Sequence, residues 1–118
     1  MSALEVSVTT GPSGPVVVLA GEADVTSAVR LDEALAAQVG SRAVRLTIDA
    51  TGLRYADSAS MRALLMAAAE ITSQDGTVTL LNPQPPVARL LDLLSVDGMI
   101  TVESLDPDRG PGQEPGDG

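Results

Sequence analysis

A chain of 118 residues, 44% of them hydrophobic, is long enough to bury the core of one domain without metals or disulfides. The chain has no Cys and no His, and its seven basic residues are all Arg, so thiol, imidazole and lysine chemistry are excluded. The net charge of −9 argues against nucleic acid and anionic membrane surfaces as partners, because both attract basic proteins. The composition therefore favours a module that binds other proteins, with no cofactor, no metal and no enzymatic activity.

The sequence has no pattern typical of a membrane span or of a signal peptide. No stretch approaches the roughly 20 apolar residues that span a bilayer, and the first ten residues lack the basic-then-apolar pattern of a signal peptide. A cytoplasmic protein without membrane insertion is expected. Residues 104–118 are rich in Pro, Gly and acidic residues and are predicted to form a disordered tail, which leaves residues 1–103 as the domain.

The first two predicted elements form a hairpin. Val6 and Val8 alternate with polar residues, and the turn residues 11–14 separate this strand from the apolar run Pro15–Ala20. An unbroken apolar run is typical of a central strand, because such a strand is buried on both faces. The second strand is therefore predicted to lie inside the sheet.

A helix and a strand follow the hairpin. Asp24 is placed to cap a helix that runs to about Val39 and is closed by Gly40. The helix has an apolar face, which consists of Ala28, Leu31, Leu35 and Val39. The segment Ala43–Ile48 alternates as a strand with one buried side, and Asp49–Ala56 is predicted to be a loop.

The second half of the chain repeats the helix and strand pattern twice. A second helix is predicted from Asp57 or Ser58 to about Ser73, with a buried stripe of Met61, Leu64, Leu65, Ala68 and Ile71. A strand at Thr77–Leu81, a third helix opened by Pro85-Pro86 and a last strand at Met99–Val102 complete the order ββαβαβαβ. This order predicts an α/β domain with a mixed sheet. Because most strands alternate, the helices are expected mainly on one face.

The junction at residues 48–61 is the segment richest in polar chemistry. Asp57, Ser58 and Ser60 stand at the start of the second helix, where the ordinary role of such residues is to cap the helix. Arg62 and Met66 follow Ser58 at four and eight positions and share its helix face. Met66 is either a core residue or an adaptable apolar contact beside Ser58.

Three segments in order resemble the STAS family, specifically the anti-sigma factor antagonists of bacterial partner-switching systems. They are Gly21-Glu22-Ala23-Asp24, Leu46-Thr47-Ile48-Asp49 and Asp57-Ser58. The resemblance covers about residues 4–103. It implies a STAS-like domain that binds an anti-sigma factor serine kinase when unphosphorylated and so releases a sigma factor. It further implies inactivation by phosphorylation of Ser58 and reactivation by a serine phosphatase.

This sequence departs from the family pattern immediately after Ser58. Ala59, Ser60 and Met61 stand where the family usually has Ser or Thr, then Gly, then Leu. Ser60 therefore adds a second candidate hydroxyl, and it is the alternative phosphorylation site. The residues expected to bind the partner are Asp24, Asp57, Ser58, Ser60, Arg62 and Met66.

Other functions fit this sequence less well. A receiver domain is excluded, because the first strand is not followed by an acidic pair and the chain has no Lys. An enzyme is disfavoured, because Asp49, Asp57 and Ser58 have no base to activate the hydroxyl. A STAS scaffold of a stress-signalling assembly, or a STAS subunit of a lipid transporter, stays open as the alternative. The genes beside this one would discriminate these possibilities.

Overall fold

The computed structural model describes residues 3–41, 45–94 and 98–104 and confirms the predicted order of elements. The strands and helices, in chain order, are β1 (Glu5–Gly11), β2 (Gly14–Ala23), α1 (Ala28–Gly40), β3 (Arg45–Ala56), α2 (Ser58–Ser73), β4 (Thr77–Leu81), α3 (Pro85–Leu94) and β5 (Thr101–Glu103). None of these helices is long and apolar enough to span a membrane, within the residues described.

The five strands form one mixed sheet in the order β1-β2-β3-β4-β5. β1 is antiparallel to β2, and the other three pairs are parallel. Each parallel pair is joined through a helix, and each connection moves one position in the same direction across the sheet. Because such connections share one handedness, the helices they contain fall on the same side of the sheet.

The core lies between the sheet and the three helices. Val17 and Ile48 sit side by side on the helix-covered face, whereas their neighbours Val16 and Thr47 lie on the opposite, partly exposed face. The helices contribute Leu31 and Leu35 from α1, Met61, Leu64, Ala68 and Ile71 from α2, and Val87 and Leu91 from α3. All belong to one hydrophobic cluster, so the prediction of helices on one face is confirmed.

Gly21 permits a close backbone approach near the end of β2. Its φ of 100° is in the left-handed region, and a Cβ atom there would overlap the carbonyl oxygen of Ala3. Leu4, the next residue, is fully buried in the core. Gly21 therefore lets the segment before β1 pass closely enough to β2 to insert an apolar side chain into the core.

The structure corrects the boundaries of β3. Residues 49–56, predicted to be a loop, continue the strand, because β2 extends far enough to pair Gly21 with Leu53 and Ala23 with Ala56. Leu53 is fully buried on the core side. The parallel ladder thus outweighs the turn-forming residues of this segment. Positions 43 and 44 of the predicted strand lie outside the described residues.

Other boundaries also differ from the predictions: β2 continues to Ala23, and Gly40 is the last residue of α1. α1 begins at Ala28 with Ser27 in the N-cap position, so Asp24 does not cap the helix and instead stabilises the turn before it. The last strand begins at Thr101, two residues later than predicted. Residues 105–118 of the predicted tail lie outside the described residues.

Candidate functional site

The candidate site lies where β2 and β3 end together. Ala23 and Ala56 are paired at the carboxyl ends of the two parallel strands, so the turn after β2 and the start of α2 lie side by side. The backbone N–H of Asp57 donates to the carbonyl oxygen of Ala23 at 3.0 Å. The sheet thus brings Asp24 and Ser58, which are far apart in sequence, to one end of the domain.

Asp57 is the N-cap of α2, as predicted. It has an extended backbone, and its Oδ1 accepts a hydrogen bond from the Ser60 N–H at 2.9 Å. Its carbonyl oxygen accepts from the Met61 N–H at 3.0 Å, which is the first bond of the helix. The half-buried carboxylate is therefore engaged in holding the helix start in place.

The two candidate phosphorylation sites have opposite environments. Ser58 is the first residue of α2 and is exposed to solvent. Ser60 is fully buried, and its hydroxyl has no hydrogen-bond partner among the described residues. The Ser58 side chain is accessible to solvent on the folded domain, whereas the Ser60 hydroxyl is buried.

Asp24 organises an exposed turn beside Ser58. Its Oδ1 accepts hydrogen bonds from the Thr26 hydroxyl at 2.6 Å, the Thr26 N–H at 3.0 Å and the Ser27 N–H at 3.2 Å. The Thr26 hydroxyl bond is the main reason that the pKa of the Asp24 carboxyl lies below its usual value. The turn is therefore held in one conformation, and it presents Val25 with 68% of its surface exposed.

An open recess adjoins Ser58 on the side of α3, and it is called here the serine recess. It has a volume of about 370 Å³. Its lining residues come from the end of β3, the start of α2 and one side of α3: Tyr55, Ala56, Asp57, Ser58, Pro86, Arg89, Leu90 and Leu93. Tyr55 and Leu93 are exposed, so apolar surface adjoins the serine on this side.

A second recess lies between α1 and α2, on the other side of Ser58, and is called the α1–α2 recess. It has a volume of about 250 Å³. Its lining residues are Ala28, Val29, Asp32, Ala59, Arg62, Ala63 and Met66. Met66 is 60% exposed, so of the two roles considered for it, the structure favours a surface contact over the core.

Five of the six predicted site residues thus reach the surface around α2, and Ser60 does not. Sequence reasoning missed Arg89 and Leu93, which α3 carries to the serine recess. The one sequence feature that could have indicated them is that both lie outside the buried apolar stripe of α3. Among the described residues, no group of three or more Asp or Glu side chains is placed to hold a metal ion.

The family model described as "Mlab, STAS domain" matches residues 6–102. The chain belongs to the STAS domain family. No curated protein matches it by sequence. The family match covers both recesses and the α2 start, so the site described above is part of the STAS domain itself.

Solved structures similar to this STAS domain include several anti-sigma factor antagonists. One from Mycobacterium paratuberculosis is 21% identical, with a TM-score of 0.79 and 90% coverage of each chain. The antagonist SpoIIAA in its unphosphorylated form is 18% identical, with a TM-score of 0.66 and 88% coverage of each chain. The phosphorylated form of the Bacillus cell fate determinant SpoIIAA is 17% identical, with a TM-score of 0.68 over 90% of this chain and 95% of that one. At these identities the likeness shows a shared fold.

Proposed function

We propose that this STAS domain is an anti-sigma factor antagonist, switched off by phosphorylation of Ser58. When unphosphorylated, it binds an anti-sigma factor serine kinase and so releases a sigma factor, and a serine phosphatase restores it. The observation that carries the proposal is the position of Ser58, exposed at the first residue of α2 between two recesses that each have apolar and charged lining residues. A partner that covers both recesses must also cover the serine.

The chemistry of the switch needs only a partner kinase and ATP. The Ser58 oxygen forms a bond to the γ-phosphorus of ATP, the bond from that phosphorus to ADP breaks, and the hydroxyl proton is released. The product carries about −1.5 to −2 charge at neutral pH. Unpaired N–H groups and the dipole at a helix N-terminus favour a negative charge, so the domain is expected to stay folded.

The effect of phosphorylation is therefore expected at the interface. One added unit charge about 4 Å from a partner carboxylate costs up to about 4 kcal/mol at an effective dielectric of 20, before screening by salt. Since about 1.4 kcal/mol is tenfold in affinity, even half of that cost lowers affinity more than tenfold. Ser58 is the serine proposed to carry the phosphate because it lies on the surface. A phosphate on buried Ser60 would require the start of α2 to open.

The experiment is titration calorimetry against anti-sigma factor serine kinases of the same genome, with and without ATP. Ser58→Ala should bind in both conditions, and wild type should lose at least tenfold in affinity after incubation with ATP. Ser60→Ala is the matched control and should be labelled by the kinase as wild type is.

Labelling at Ser60, or undiminished binding after complete phosphorylation of Ser58, contradicts the switch. Absence of binding to every such kinase, together with copurification with a permease and an ATPase, favours the transporter alternative. Stable association with a large stress-signalling assembly, without labelling, favours the scaffold alternative.

A further inference from the structure

Arg89 shares the serine recess with Ser58, although the two residues are on different elements. Arg89 lies on α3 and lines the recess opposite the start of α2. It is exposed, and no hydrogen bond or ion pair engages its guanidinium within the described part of the chain. A free guanidinium thus borders the space into which a group attached to the Ser58 oxygen can extend.

Arg62 is the natural rival, and the structure places it elsewhere. Arg62 follows Ser58 by one helical turn, at the spacing that lets side chains on a helix interact. Yet Arg62 lines the α1–α2 recess together with Asp32, and it does not line the serine recess. The two arginines therefore flank Ser58 on opposite sides.

We propose that Arg89 binds the phosphoryl group of phosphorylated Ser58 inside the serine recess, so that the phosphate joins the start of α2 to α3. This inference rests on the proposed phosphorylation of Ser58. It adds an intramolecular anion site that neither the family match nor the similar structures assign to this chain.

The recess is large enough for a phosphoryl group, and Arg89 supplies a complementary charge on its α3 side. Its volume of about 370 Å³ exceeds that of several waters, which occupy about 30 Å³ each. The planar guanidinium presents parallel N–H donors that match two phosphate oxygens. Asp57 lies on the α2 side of the same recess and repels a phosphate, so the phosphate is more stable on the α3 side, next to Arg89.

The binding of the phosphate has a consequence for the switch. A phosphate paired with Arg89 occupies part of the serine recess and engages the Arg89 guanidinium, so that a partner can no longer bind it. Rejection of the partner then results from occupation of the recess as well as from added charge. In Arg89→Gln, Ser58 is accordingly expected to stay phosphorylated, but its phosphate should no longer occupy the serine recess.

The test installs phosphoserine at position 58 during translation or by ligation, so no kinase and no partner are involved. Phosphorus NMR then follows the phosphate through its second pKa, normally about 6. Pairing with Arg89 favours the dianion, and an exposed ion pair is expected to lower this pKa by about 0.2 to 0.7. Arg89→Gln should remove that decrease, and the matched control Arg62→Gln should leave it in place.

Two results overturn the inference: a phosphate pKa that Arg89→Gln does not change, and one that Arg62→Gln changes by as much or more. Unfolding of the phosphoserine protein, seen by circular dichroism, also overturns it, because the recess must admit the phosphate. Failure of the proposed function is distinguishable from these results. A chain that no kinase labels at Ser58 can still show the Arg89 effect once the phosphate is installed.

Discussion

The Asp57 N–H and the Ala23 carbonyl oxygen are joined by a hydrogen bond of 3.0 Å that ties the start of α2 to the end of β2. The same Asp57 holds the first turn of α2 through its side chain. The turn after β2 and the exposed serine at the helix start are consequently fixed relative to each other. A partner that contacts both therefore meets one preformed surface.

Replacing Asp57 by Ala is expected to lower the free energy of unfolding by about 0.5–2 kcal/mol, because the Ser60 N–H loses its acceptor. Asp57→Asn keeps a side-chain oxygen and should lose much less. Urea denaturation of both variants measures the difference. Equal losses of unfolding free energy in Asp57→Ala and Asp57→Asn would show that the charge of the carboxylate, and not its hydrogen bond to the Ser60 N–H, stabilises the helix start.

Ser60→Ala is expected to leave the free energy of unfolding unchanged or raise it by about 1 kcal/mol, because it removes a buried hydroxyl that has no hydrogen-bond partner in the described part of the chain. Ser58→Ala is the matched control on the same turn. Ser58 is exposed, so its change should stay within about 0.5 kcal/mol. A marked loss of stability in Ser60→Ala alone would mean that the hydroxyl has a hydrogen bond in solution.

Gly21→Ala is expected to destabilise the domain by about 1–3 kcal/mol, because Ala is strained at a positive φ and its Cβ meets the Ala3 carbonyl. Gly40→Ala provides the comparison. A Cβ at Gly40, the last residue of α1, meets no atom of the described residues within 4 Å apart from its own helix and chain neighbours, so this variant should be neutral or slightly stabilised. Thermal melts that shift equally for both variants would contradict the close approach at Gly21.

The Asp24 carboxyl is expected to titrate below the ordinary Asp pKa of about 3.9. Its folded pKa is lowered, so the stability contributed by the ionised form is present above the unfolded pKa and is lost as pH falls through the folded pKa. Thr26→Val should raise the pKa of Asp24 towards the ordinary value, which carbon-detected NMR titration measures. The stability difference between wild type and Asp24→Asn should shrink in strongly acidic solution. If Thr26→Val leaves the pKa of Asp24 unchanged, the backbone N–H donors of residues 26 and 27 are what lower it.

The order of the elements could be predicted because local periodicity determines it. The stripe predicted for α2 included Met61 and Ile71, and both are buried. The same stripe extends backwards at helical spacing from Leu64 to Ser60, and this spacing could have predicted that Ser60 is buried. Leu65, in contrast, is only partly buried.

The remaining features depend on contacts between distant segments. The second half of β3 reads as a loop in isolation and becomes a strand only because the end of β2 pairs with it. That Arg89 and Ser58 line one recess likewise requires α3 to pack beside the end of β3, and no spacing in the sequence encodes this packing. Local sequence patterns therefore predicted that Ser58 lies at the start of a helix, but they could not predict the recess beside it.

The two edges of the sheet differ in how firmly they are attached. β1 pairs with β2 over seven residues, whereas β5 pairs with β4 only from Thr79↔Thr101 to Leu81↔Glu103, and all three β5 residues are exposed. Strands with few buried contacts detach in local openings that cost far less than global unfolding. Amide hydrogen exchange is therefore expected to be fast in β5 and slow in β2 and β3. Each such opening leaves the backbone of β4 unpaired, and this edge is where another chain can most easily add a strand to the fold.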